Sequence, residues 1–126
     1  MPLFPWGEHM KIRIEDRWGK ISTVCLEGDL DFSTSPKVRE ELSSLIRRDT
    51  NQIVVDLSDV NHMDSSGIAT LIEAQQESER RGIRFTLTGM GPSLEAVFDL
   101  ENVKVIFEIA ERPPSPKLDG IADQLA

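Results

Sequence analysis

Apolar and polar positions change period along the chain. Met10, Ile12 and Ile14 alternate with Lys11 and Arg13, the period of a half-buried strand. Asp16-Arg17-Trp18-Gly19-Lys20 supplies a turn in which Gly19 can take a positive φ. Residues 21–27 read as a second strand, with Ile21, Val24 and Leu26 among its apolar positions, so the pattern predicts a hairpin. Gly28-Asp29-Leu30-Asp31 is expected to end that strand. Ser33-Thr34-Ser35-Pro36 then offers N-caps and a proline for a first helical turn. Val38, Leu42, Leu45 and Ile46 make one stripe of a helix over residues 36–48, whose Arg47 and Arg48 suit the negative end of its dipole.

The second half alternates strands and helices. Ile53-Val54-Val55 is a short β-branched run, expected in a central strand over 52–57 that is buried on both faces. A loop over 58–64 leads to a helix over 65–81, with Ile68, Leu71 and Ile72 inward and Arg80-Arg81-Gly82 as its stop signal. Ile83, Phe85 and Leu87 alternate with Arg84, Thr86 and Thr88 in a further strand. Leu94, Val97 and Phe98 stripe a short helix over 93–100, and 103–107 reads as the last strand. The expected fold is a single α/β domain. Its mixed, mostly parallel sheet has about five strands with an N-terminal hairpin, and three to four helices pack mainly on one face.

Length and composition narrow the possibilities. A chain of 126 residues suits one domain and can bury a core without staples. Residues 1–9 read as a flexible leader, 10–110 as the domain, 111–116 (Glu111-Arg112-Pro113-Pro114-Ser115-Pro116) as an extended linker, and 117–126 as a final helix or tail carrying Leu118, Ile121 and Leu125. No apolar run approaches the ~18 residues of a membrane span, and the leader lacks the basic start and apolar stretch of a signal peptide. A cytoplasmic protein is expected. The net charge of −8, without a Lys/Arg cluster, argues against direct nucleic-acid binding. Cys25 is the only cysteine and His9 and His62 the only histidines, so neither a disulfide nor a metal or other cofactor is expected. Cys25 reads as a small packing residue, and Trp6 and Trp18 as edge covers or contact residues.

The most informative stretch runs from Ile53-Val54-Val55-Asp56-Leu57-Ser58 to Met63-Asp64-Ser65-Ser66-Gly67-Ile68. A buried strand leads to Asp-Ser-Ser-Gly at the start of a helix. Carboxyl ends of parallel strands gather ligands, and the free amides of a helix N-terminus accept an anion. A hydroxyl there is well placed to carry a phosphate. The plainer alternative is an N-cap at Asp64 or Ser65, with Gly67 allowing close helix–strand packing. A serine hydrolase using Ser65, His62 and Asp64 fails on spacing, since Gly-x-Ser-x-Gly is absent. A receiver domain with Asp56 as phosphoacceptor could use Asp29 and Asp31 as its acidic pair, but no Lys follows Phe107 until Lys117.

These residues resemble the signature of STAS domains, in particular bacterial anti-sigma factor antagonists, and Gly28-Asp29-Leu30-Asp31 is similar to the family's motif after its second strand. The resemblance spans about residues 10–109. It implies a non-enzymatic binding module that sequesters an anti-sigma factor, itself a serine kinase of the histidine-kinase-like ATPase fold. It further implies phosphorylation of Ser65 and release of that partner, with a phosphoserine phosphatase resetting the switch. Asp64, Ser66, Gly67, Asp31 and Asp29 would form the phosphosite environment, with Asp31 orienting Ser65 and Asp64 shaping the helix start. Ser58, Met63 and Ile68 would touch the partner. The family also includes accessory subunits of ABC-type lipid transport complexes that dock on an ATPase, and this alternative stays open.

Charge placement adds a physical expectation. No Lys or Arg lies between Arg48 and Arg80, whereas Asp49, Asp56, Asp59, Asp64, Glu73, Glu77 and Glu79 do. A phosphate on Ser65 would find no cation among its sequence neighbours, so it is expected to act by repulsion and desolvation at a docking surface. Lys11 and Arg84 are cations the fold could still bring near.

Overall fold

The structure, a computed structural model, describes residues 10–17 and 20–111. The leader with Trp6, the turn residues Trp18 and Gly19, the linker from 112 and the tail with Leu118, Ile121 and Leu125 lie outside the described residues. Strands β1 (Met10–Arg17) and β2 (Ile21–Leu30) form the expected antiparallel hairpin, with Ile12 opposite Leu26 and Ile14 opposite Val24. Then follow α1 (Ser35–Ile46), β3 (Gln52–Met63), α2 (Ser65–Arg80), β4 (Arg84–Thr88), α3 (Pro92–Leu100) and β5 (Glu108–Ala110). The sheet order is β1-β2-β3-β4-β5, and every pair after the first is parallel.

Because this order never reverses, right-handed crossovers put successive helices on the same face. The core agrees. Val24 and Leu26 of β2, Ile53, Val55 and Leu57 of β3, and Phe85 and Leu87 of β4 form one cluster with Val38, Leu42 and Leu45 of α1, Ile68 and Leu71 of α2, and Leu94 and Phe98 of α3. Each large side chain fully buried there contributes roughly 1.5–3 kcal/mol. The opposite face carries the alternate residues Thr23, Val54, Thr86 and Thr88, which are also buried, so Ile53-Val54-Val55 is covered on both sides as expected.

Four boundaries differ from the expected ones, each for a physical reason. Gly28-Asp29-Leu30 does not end β2, and 58–63 is not a loop. The two segments pair, Asp29 beside His62 and Leu30 beside Met63, because Leu30, Val60 and Met63 are buried and anchor them. The pairing slips between Cys25 and Glu27 and again between Gly28 and Asp29, where β3 holds the extra residue as a bulge. Gly28 absorbs the distortion with φ +122°. Helix α1 stops at Ile46, and Arg48 leaves its axis to reach Asp16 at 3.1 Å. The expected strand over 103–107 is instead one 3-10 turn, Lys104–Ile106. Val103 and Phe107 turn inward there while Val105 points to solvent, a helical spacing rather than an alternating one.

Candidate functional site

The paired ends of β2 and β3 build the site. Strand β4 accompanies β3 only from Gln52 to Asp56, so the second half of β3 pairs with β2 alone and projects beyond the sheet. At its tip the chain turns at Asp64 into α2. Asp64 ties three pieces together. Its backbone N–H donates to the Leu30 carbonyl at 3.2 Å. Its Oδ1 accepts from the amides of Ser66 (2.9 Å) and Gly67 (3.1 Å), the N-cap arrangement that satisfies free amides of the first turn. Its Oδ2 accepts from the Phe32 amide in the β2–α1 loop at 3.2 Å. One carboxylate therefore holds both the helix start and the neighbouring loop.

Ser65 is the first residue of α2 and is exposed. Ser66 is partly covered, and its carbonyl accepts the Thr70 hydroxyl at 2.9 Å. Gly67 is pressed onto the strand ends. A Cβ there would lie 2.6 Å from the Leu30 carbonyl oxygen, 2.8 Å from Leu30 Cγ and 2.9 Å from Met63 Cγ. The close helix–strand packing expected of Gly67 is what the geometry shows.

Asp31 Oδ1 accepts the Ser33 hydroxyl at 2.6 Å, the Ser33 amide at 3.0 Å and the Thr34 amide at 3.2 Å. The Ser33 hydroxyl foremost, then these amides, hold its carboxylate below the ordinary aspartate range. Asp31 thus braces its own loop, because amides and hydroxyls two and three residues ahead lie within its reach. The Thr34 hydroxyl fastens the same loop to the Asp29 carbonyl at 2.7 Å.

Of the expected contact residues, Met63 and Ile68 are 2% and 4% exposed. They are core side chains under the helix start and offer no surface to a partner. Ser58 is exposed and bonded to Asp56 Oδ1, beside Gly89 of the β4–α3 loop. Asp56 lies within β3 rather than at its end, unlike the strand-end carboxylate of a receiver domain. Phe32, which sequence reasoning missed, is 76% exposed at the edge of the site. An isolated aromatic in the polar run Asp31-Phe32-Ser33 was the signal available.

The expected absence of local cations takes a definite form. Lys11 pairs with Glu27 at 3.7 Å. Arg84 pairs with Glu108 and stands beside Gln52, at the opposite end of the strands from Ser65. Lys37, exposed in the first turn of α1, shares the end of the sheet that carries Ser65. A groove of about 250 Å³ between α1 and α2, with Arg39, Arg47, Arg80 and Arg81 in its walls, lies toward the C-terminal ends of both helices. Arg13 stands opposite Cys25 in the hairpin and gives it a cationic neighbour. Burial nevertheless dominates and pushes the thiol up, away from reactivity.

The profile of the STAS domain family matches residues 14–115. The chain belongs to the STAS domain family. Among relatives of this STAS domain is an anti-sigma-B factor antagonist of Listeria monocytogenes, 27% identical over 101 residues that span 80% of this chain and 89% of the relative. An anti-sigma factor antagonist from Mycobacterium paratuberculosis superposes with a TM-score of 0.72 at 22% identity, covering 91% and 92% of the two chains. The Bacillus cell fate determinant SpoIIAA, solved in its phosphorylated form, superposes at 0.64 with 20% identity over 92% of this chain and all of that one.

Proposed function

We propose that this STAS domain is an anti-sigma factor antagonist: it sequesters an anti-sigma factor with serine-kinase activity while Ser65 is unmodified, and releases it once Ser65 carries a phosphate. The observation that supports this most is the presentation of Ser65. It is an exposed hydroxyl on the first residue of α2, beside a carboxylate whose oxygens hold three backbone amides. A kinase would meet it in a set position. The curated relatives are named as antagonists of this kind, and a structural neighbour is known in a phosphorylated form.

The chemistry belongs to the partner. The kinase supplies ATP and Mg²⁺; this chain supplies the acceptor oxygen. A phosphate on the first residue of a helix sits at the positive end of its dipole, which tolerates the charge within the domain. At the surface it adds about −1.5 to −2 charges. Asp29, Asp59 and Asp64 already occupy this end of the sheet, so a partner that docks on it loses complementarity. A separate phosphatase would restore the unmodified state. Among the described residues no helix is long and apolar enough to cross a membrane, and the proposed site of action is the cytoplasm, with its sigma factors.

The test uses the purified histidine-kinase-like anti-sigma factor encoded in the same genome, with Mg-ATP. One phosphate is expected, absent in Ser65→Ala, and Ser65→Asp should bind that partner at least tenfold more weakly. Peptide mapping that puts the phosphate on Ser66, or a transporter ATPase as the purified partner instead, would overturn the proposal. Full affinity in Ser65→Asp would overturn the repulsion mechanism alone.

A further inference from the structure

Phe32 stands apart from the other described phenylalanines. It is 76% exposed, whereas Phe85, Phe98 and Phe107 are 5%, 0% and 8% exposed. Singly exposed apolar side chains are ordinary, and Leu100 and Val105 are more exposed still; what sets Phe32 apart is its place beside the start of α2. Its backbone is held on both sides. The Phe32 amide donates to Asp64 Oδ2, and the Asp31 carboxylate closes the loop around it through Ser33 and Thr34. Asp64 is also the cap of the helix that begins with Ser65. The helix that Ser65 begins and the backbone of Phe32 are therefore tied to each other by a single carboxylate.

We propose that Phe32 is the apolar anchor of the docking surface, entering an apolar pocket on the anti-sigma factor kinase while Ser65 is presented for phosphoryl transfer. The proposal rests on the function proposed above. The surroundings of the ring favour this occupant over a second copy of the chain. Asp29, Asp59 and Asp64 lie at the same end, so two such faces would bring like charges together. The complementary surface is an apolar pocket that the ring fills. Desolvated aromatic anchors of this kind carry much of the binding energy of an interface, and the acidic ring around them chiefly sets partner choice and approach. An anchor whose backbone is already held loses less freedom on docking.

The test compares wild type, Phe32→Ala, Phe32→Leu and Val105→Ser. Calorimetry measures binding to the purified kinase named above, and steady-state assays measure Ser65 phosphorylation. Val105 is 88% exposed in the 3-10 turn and serves as the control for loss of exposed apolar area. Phe32→Ala should weaken binding by at least thirtyfold and raise KM far more than it lowers kcat. Phe32→Leu should recover most of the affinity, and Val105→Ser should match wild type. The urea midpoint should hold for every variant, because both side chains are exposed. Binding by Phe32→Ala within twofold of wild type overturns the anchor, as does an equal loss in Val105→Ser. So does a change confined to self-association by sedimentation. Absence of wild-type binding and phosphorylation would instead strike the underlying function, a result readable before any variant is made.

Discussion

Gly67→Ala sets two known effects against each other at the site. Alanine is favoured over glycine inside a helix by roughly 0.8–1 kcal/mol. Gly67 is the third residue of α2 and takes no positive φ, so propensity alone predicts a stabilised protein. Sterics predict the reverse. The new Cβ would meet the Leu30 carbonyl oxygen at 2.6 Å, where about 3.4 Å is ordinary contact. That oxygen cannot retreat. It accepts the Asp64 amide at 3.2 Å, and Leu30 is fully buried beside Met63. Relief requires the start of α2 to rise by close to an ångström, which loosens the Asp64 cap. Overpacking of this kind costs about 1–3 kcal/mol, and a weakened cap up to ~1 more. After the propensity gain, a net loss of about 1–2 kcal/mol is expected. Urea denaturation with an unchanged m-value measures it. Ala69→Gly, at an exposed position two residues on, gives the propensity of this same helix and should lose about 1 kcal/mol. A Gly67→Ala protein as stable as wild type, alongside a normal loss in Ala69→Gly, would refute the steric clamp.

Two further outcomes follow from the hydrogen bonds. Asp64→Ala should lose about 1–2 kcal/mol as the cap disappears, and Asp64→Asn about half that, since its amide keeps one acceptor but turns a donor toward either Phe32 or the helix amides; urea midpoints and the exchange rate of the Phe32 amide report both. The Asp31 carboxylate is held below the ordinary range by Ser33 and Thr34, so its contribution is fully present above about pH 4 and is lost as pH falls through the depressed value. Asp31→Asn should flatten the acid limb of melting temperature against pH between about 5 and 2, and an unchanged limb would show that these bonds do not act in solution.

Most of the fold was legible because burial follows local periodicity. The hairpin, the doubly buried Ile53-Val54-Val55 run and the stripe Val38, Leu42, Leu45 and Ile46 each carry their own pattern. The misses share another cause, pairing between segments distant in sequence. Gly28-Asp29-Leu30 and 58–63 look like breakers and loop when read alone, yet together they form a bulged parallel ladder whose anchors Leu30, Val60 and Met63 are spaced irregularly. The same long-range pairing buried Met63, which a linear reading offered as surface. In the 103–107 segment, Val103, Val105 and Phe107 suit a strand, and only tertiary packing selects the inward pair Val103 and Phe107. Ser65 and Asp64 were legible as a helix start because N-cap chemistry is local; the bond from Asp64 to Phe32 spans 32 residues and was not.

That long-range bond bears on how a phosphate at Ser65 would be felt. The domain meets the new charge at a helix N-terminus, where an anion is favoured by about 0.3–1 kcal/mol at an exposed site. Folding is therefore little disturbed, and the core beneath, with Ile68 and Met63 fully engaged, has no reason to repack. A docked partner meets the same charge with no such compensation. It must approach a surface on which Lys11 is already paired with Glu27 and Arg84 lies at the far end with Glu108. Among the described residues Lys37 is the cation left at this end, and it stands on α1 rather than on the helix that Ser65 begins. Under the proposed function, one modification would thus separate stability from affinity: the helix dipole that tolerates the phosphate belongs to the domain, while the repulsion would fall on whatever binds it.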